Sequence, residues 1–125
     1  MRYAPTWILL LAVAGCGTET DDRPATFSYI HQAIVVPSCA TAACHSSQNH
    51  IADKDLQDRE VAYRTFVQSG ITDRSQSAIY QTIGGEAAPD FNPYAAAGRM
   101  PLDSPLPEAD ILLIGEWIDL GQEDN

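Results

Sequence analysis

Two of the chain's three cysteines are separated by only four residues, and a histidine directly follows the second. They are Cys39, Cys44 and His45 in "PSCATAACHSS" (Pro37–Ser47). Disulfide, metal site and covalent attachment point all make the same demand here: the chain must turn tightly so that these side chains converge. The intervening Ala40, Thr41, Ala42 and Ala43 are small and crowd such a turn little. No other stretch restricts the fold so narrowly.

The third cysteine has a different setting. Arg2 places a positive charge ahead of "TWILLLAVAG" (Thr6–Gly15), an apolar stretch too short to span a bilayer and ending in small residues. That pattern reads as a secretory signal. "VAGC" (Val13–Cys16) resembles the lipobox of bacterial lipoproteins, in which the cysteine becomes the lipidated first residue of the mature chain. The expected organisation is a signal peptide over 1–15, lipidated Cys16 with a flexible polar tether over 16–26, one domain over 27–121 and an acidic tail over 122–125. The expected location is the periplasmic face of the inner or outer membrane, or the cell surface, held by the N-terminal lipid. Disulfides persist in such compartments. The formal net charge is -10 and Lys54 is the only lysine. A chain so acidic is no nucleic-acid binder, because phosphate contacts need Lys and Arg. Complementary charge would instead steer a basic protein partner towards it.

Hydrophobic spacing along the domain is helical throughout. "TFSYIHQAIVVPSC" offers Thr26 as an N-cap, then Phe27, Ile30 and Ile34 on one face, with Pro37 as a stop; a helix over Phe27–Val35 is expected. Ser46 to Asp55 is polar and reads as loop. "DREVAYRTFVQSG" carries Val61, Tyr63, Phe66 and Val67 as an apolar stripe and ends at Gly70. "RSQSAIYQTIGG" pairs Ile79 with Ile83 and stops at Gly84 and Gly85. "EAAPDFNPYAAAGRMPLDSPLP" (86–107) holds five prolines, which excludes regular structure and marks a long constrained loop. The last helix is "PEADILLIGEWIDLG", with Pro107 in its first turn, Glu108 and Asp110 at the positive end of its dipole and Gly121 as its stop. Ile111, Ile114 and Ile118 form its stripe, flanked by Leu113 and Trp117. No segment alternates as a strand does, so the class is all-α.

The spacing around Cys39 invites three chemistries. The shorter form C-x-x-C-H is the attachment signal for haem c, and His45 satisfies its adjacency requirement; here the gap is four residues, C-x4-C-H. A Cys39–Cys44 disulfide is equally natural in an exported chain but leaves His45 unexplained. A structural zinc site would need His50 or His31 as a fourth ligand. On their own, the three residues leave all three readings open. His31, beside Ile30, reads as a surface or boundary histidine and His50 as a solvated one. The charged run Asp53, Lys54, Asp55, Asp58, Arg59, Glu60 reads as a solvated face lacking the glycine and closing Glu of a calcium loop. No serine-nucleophile motif, phosphate loop or paired-carboxylate constellation supports an enzyme.

A second segment bears on the choice. "AAGRMPLDSP" places Met100, the only methionine besides the initiator, inside the proline-rich loop. Haem iron in cytochromes c is commonly held by His on one side and Met on the other. From about Phe27 to Gly121 the chain resembles a class I monohaem cytochrome c, specifically the cytochrome c-like domains of bacterial lipoproteins. The residues that carry the resemblance are "PSCATAACHSS", "GRMP" and the closing "IGEWIDLG". It implies a fold with crossed N- and C-terminal helices around one covalently attached haem c. It further implies Cys39 and Cys44 as thioether ligands, His45 and Met100 as axial iron ligands, and Arg99 as a haem-propionate contact or a plain surface residue. The function implied is single-electron transfer between redox protein partners. Two others stay open: a haem sensor in which Met100 leaves the iron, and a cofactor-free structural or binding lipoprotein with a Cys39–Cys44 disulfide.

Overall fold

The computed structural model describes residues 21–86 and 98–125. The expected signal peptide, Cys16, the first part of the expected tether and the middle of the proline-rich segment lie outside the described residues. Among the described residues every regular element is helical, with no strand, and no helix is long and apolar enough to cross a membrane. The all-α reading holds.

The first helix opens where its cap predicts. Thr26 has extended backbone and its hydroxyl accepts the Tyr29 N–H, so α1 begins at Phe27 (Phe27–Ile30). Its end differs from expectation. α1 runs into a π-helical turn (His31–Val35) and then into α2 (Val36–Ser38), so Pro37 lies inside the helix rather than ending it at Val35. Proline lacks an N–H, and its ring presses on the carbonyl one turn back. The wider π turn just before it, closed by Val36 N–H on the His31 carbonyl, takes the chain past that obstacle.

The remaining helices follow their caps closely. Asp58 accepts the Val61 N–H at 2.9 Å to start α3 (Arg59–Phe66). A 3-10 turn (Arg74–Gln76) precedes α4 (Ala78–Thr82), which Ser77 caps through the Tyr80 N–H. α5 spans Glu108–Asp119. Pro107 is its N-cap rather than part of its first turn; having no side-chain cap to give, it contributes its carbonyl to Asp110 and Ile111 N–H.

The core forms where the first helix meets α5. Phe27, Ile30, Ile34, Ile114, Trp117 and Ile118 are all buried in one cluster. The Phe27 ring lies 5.1 Å from Trp117 and 5.1 Å from Tyr63, the latter edge-on. Full burial of an apolar side chain of this size stabilises the fold by about 1.5–3 kcal/mol. Two stripes are displaced from the sequence reading. In α3 the buried pair is Ala62 and Phe66, with Val61 and Tyr63 only half-buried. At α4 the buried residues are Ala78, Tyr80 and, at the C-cap, the expected Ile83, while its expected partner Ile79 is only half-buried. Gly115 of α5 explains the second. A Cβ there would fall 2.8 Å from Tyr80 Cε2 and 2.7 Å from Arg74 Nη1, so only glycine admits the tyrosine ring.

Both ends of the described chain are tied down. Arg23, from the expected tether, bonds Asp110 at 2.6 Å. The expected acidic tail turns back onto the fold. Gln122, at φ 57°, is buried, accepts the Gln68 N–H at 3.0 Å and donates to the Gln68 and Ile71 carbonyls. Asp124 pairs with Arg59 at 2.7 Å, and the Asn125 side chain accepts the Phe27 N–H at 2.9 Å, covering the first helix's N-terminus.

Candidate functional site

Cys39 follows α2 directly, and its N–H continues the helix by donating to the Val35 carbonyl at 2.8 Å. The chain then reverses. Cys44 N–H donates to the Thr41 carbonyl at 2.9 Å, and His45 N–H donates to the Cys39 carbonyl at 3.1 Å. The four-residue gap is therefore taken up in a bulged turn, closed by a bond between its two ends. Ala42 and Ala43 are exposed on it, while Ala40 is buried beneath it.

Both thiols are free and half-buried. Cys39 packs against the core. Burial, reinforced by the neighbouring Cys44, pushes its thiol up to about 11. Such a thiol stays protonated at neutral pH, unlike the acidic thiolates of redox-active or nucleophilic cysteines. Cys39 therefore lacks the electrostatics of a nucleophilic thiolate.

His45 is held by the loop that follows it. Its Nδ1 lies 2.8 Å from the Ile51 carbonyl oxygen. A carbonyl only accepts, so Nδ1 is the donor; a ring held this way through one nitrogen is an arrangement characteristic of metal-ligating imidazoles. Two main-chain bonds staple the loop. Ile51 N–H donates to the Cys44 carbonyl at 3.2 Å, and Leu56 N–H to the His45 carbonyl at 2.8 Å. Between the staples a 3-10 turn (Ile51–Asp53) carries Ala52 and Asp53 at φ 58° and 56°. That left-handed pair reverses the chain just after the carbonyl that accepts from His45.

His31 is not the surface or boundary residue that its sequence position suggests. It is 8% exposed, stacks on Phe27 at 6.0 Å, and its Nε2–H donates to the Leu56 carbonyl at 3.0 Å. Its sequence signal was the four-residue spacing from Phe27, which puts both on one helix face. The Ile51 and Leu56 carbonyls have no such signal, since main-chain acceptors are the same at every residue. His50 is exposed, as expected. Among the described residues no three His, Cys, Asp or Glu side chains are grouped to hold a metal ion. Neither His31 nor His50 completes a zinc set with Cys39, Cys44 and His45.

Met100 is half-buried, and its N–H donates to the Thr82 carbonyl at 2.8 Å, fixing this part of the proline-rich loop to the end of α4. The Met100–Pro101 peptide is cis. Arg99 is exposed, its aliphatic stem passing Gly84, and it makes no ion pair among the described residues. Cys16, the candidate lipidation site, is outside the described residues. In comparison with known proteins, no family model matches this chain, and neither a curated sequence nor a solved structure is recognisably similar to it.

Proposed function

We propose that this protein is a lipid-anchored c-type cytochrome that carries single electrons between redox proteins outside the cytoplasm. The observation that carries the reading is the His45 imidazole. Its Nδ1–H is donated to the Ile51 carbonyl, so its other ring nitrogen is not the one that bond uses, and the same turn carries two free cysteines. By residue type the donor set suits the group: Cys39 and Cys44 would hold a haem by thioether bonds, and His45 and Met100 would ligate its iron. Bound haem would supply an iron that alternates between ferrous and ferric states. The terminal helices, meeting at Phe27 and Trp117, would form the crossed pair beside it.

The chain's own residues do the rest. The Ile51 carbonyl sets the His45 tautomer and ring orientation. Burial keeps the Cys39 thiol neutral. The Thr82 carbonyl anchors Met100 at its main chain. The acidic surface would steer a basic partner and make the encounter sensitive to salt. Cys16 would carry the lipid that keeps the domain at the membrane.

The test is a visible spectrum and a pyridine haemochrome assay on protein made with a haem c attachment system. Covalent haem is expected, and Met100→Ala should abolish the weak charge-transfer band at the red end of the oxidised spectrum. A colourless protein two hydrogens short in mass overturns the reading in favour of a Cys39–Cys44 disulfide. Ready carbon monoxide binding by the reduced wild type would instead assign Met100 as a labile ligand and the protein as a sensor.

A further inference from the structure

His31 is the one buried histidine among the described residues, and electron transfer makes no use of it. Its contacts nevertheless lead to the centre of the candidate site. The Nε2–H of His31 donates to the Leu56 carbonyl at 3.0 Å, and the N–H of the same residue, Leu56, donates to the His45 carbonyl at 2.8 Å. From His45 the path continues through Nδ1–H to the Ile51 carbonyl, and from Ile51 N–H back to the Cys44 carbonyl. Leu56 is therefore gripped at both of its main-chain groups, by His31 of the first helix on one side and by the backbone of His45 on the other.

We infer that His31 is a positioning residue for the His45 imidazole, acting through Leu56. The ring is well suited to this. Stacking on Phe27 sets its plane, and the π turn that begins at His31 sets the direction in which it leaves the helix. A histidine carries its donor at the far end of a rigid ring, so the bond fixes the loop's distance from the helix as well as its register. Removing the donor leaves the carbonyl of a buried residue unpaired and frees the stapled loop to shift. The holding of His45 is geometric; what it is held for rests on the cytochrome reading above.

The experiment follows the solvent exchange of the His45 Nδ1 proton by NMR in the full protein, reduced and carrying haem. His31→Leu fills the same space without a donor and should accelerate that exchange about tenfold or more, the factor for one lost hydrogen bond. Amides of α5 should keep their protection. His31→Gln, which restores an amide donor of similar reach, should return the exchange to within about threefold of wild type. Unchanged exchange in His31→Leu, an equal acceleration of the α5 amides, or failure of the Gln variant to rescue each overturns the inference. Should His31→Leu not fold, His31→Asn replaces it, its shorter amide falling short of Leu56. A wild-type protein without covalent haem defeats the cytochrome reading alone. The same proton is then followed in the haem-free chain, where the same pattern supports the positioning role and its absence overturns it.

Discussion

The terminal helix pair and the segment from Cys39 to Leu56 join at Cys39 yet are held by different forces. In the helix pair, Phe27, Ile30, Ile34, Ile114, Trp117 and Ile118 are enclosed almost completely, so side-chain volume decides which residues fit. In the loop, Ala42, Ala43, Ile51 and Ala52 are exposed, and shape comes from main-chain bonds: Cys39 to His45, Cys44 to Ile51, His45 to Leu56. Cys44 and His45 are accordingly only half-buried on a turn held by its backbone, whereas Cys39, at the junction of the two regions, packs against the core.

The largest effect that tests this contrast is at Trp117. Trp117→Ala removes the ring that packs on both Phe27 and Tyr63, together with its bond to the Glu123 carbonyl, and should cost about 3–5 kcal/mol in chemical denaturation. A cost below about 1 kcal/mol would mean that the helix pair is not held by packing.

Next in size is a pH effect at the junction. The Cys39 thiol is raised from 9.0 to about 11 in the folded chain, so between those values the folded state retains a proton that the unfolded state has lost. Stability should be undiminished below pH 9 and fall as pH rises towards 11, by about 2–3 kcal/mol. Urea midpoints against pH would show it. The step should vanish in Cys39→Ala and in any form where the sulfur is a thioether, so the same titration separates free thiols from attached ones.

The smallest effect has the opposite sign. Ala52 holds a left-handed conformation that costs an L-residue about 1–2 kcal/mol, whereas glycine adopts it freely. Ala52→Gly should therefore raise stability by up to about 1 kcal/mol while leaving the His45 Nδ1 proton protected. A loss of stability would show that the Ala52 methyl packs, and would blur the distinction between the two regions.

Much of the architecture was written locally. Thr26, Asp58 and Ser77 cap helices because a short side-chain oxygen satisfies an N–H that the helix leaves open, and that depends only on neighbours in sequence. The spacing of Phe27, Ile30 and Ile34, and of Ile114, Trp117 and Ile118, likewise placed the core on two helices, and the small residues between Cys39 and Cys44 anticipated a bulged turn. Cys39, Cys44, His45 and Met100 stood out in the sequence by residue type and spacing, but how each is held did not.

What only the tertiary structure decided are the pairings between distant parts of the chain. Which face of α3 and α4 turns inward depended on partners: Tyr80 is buried because Gly115 leaves room for its ring. Pro37 stays within a helix because the π turn before it absorbs the clash. Gln122 and Asn125, polar and at the end of an acidic stretch, dock because Gln68 and Phe27 present open main-chain groups to them. His31 is buried because the Leu56 carbonyl waits for its proton. Helix caps and apolar periodicity are short-range and repeat along the sequence. A main-chain carbonyl that accepts from a side chain 25 residues away leaves no mark on the sequence, because every residue has one.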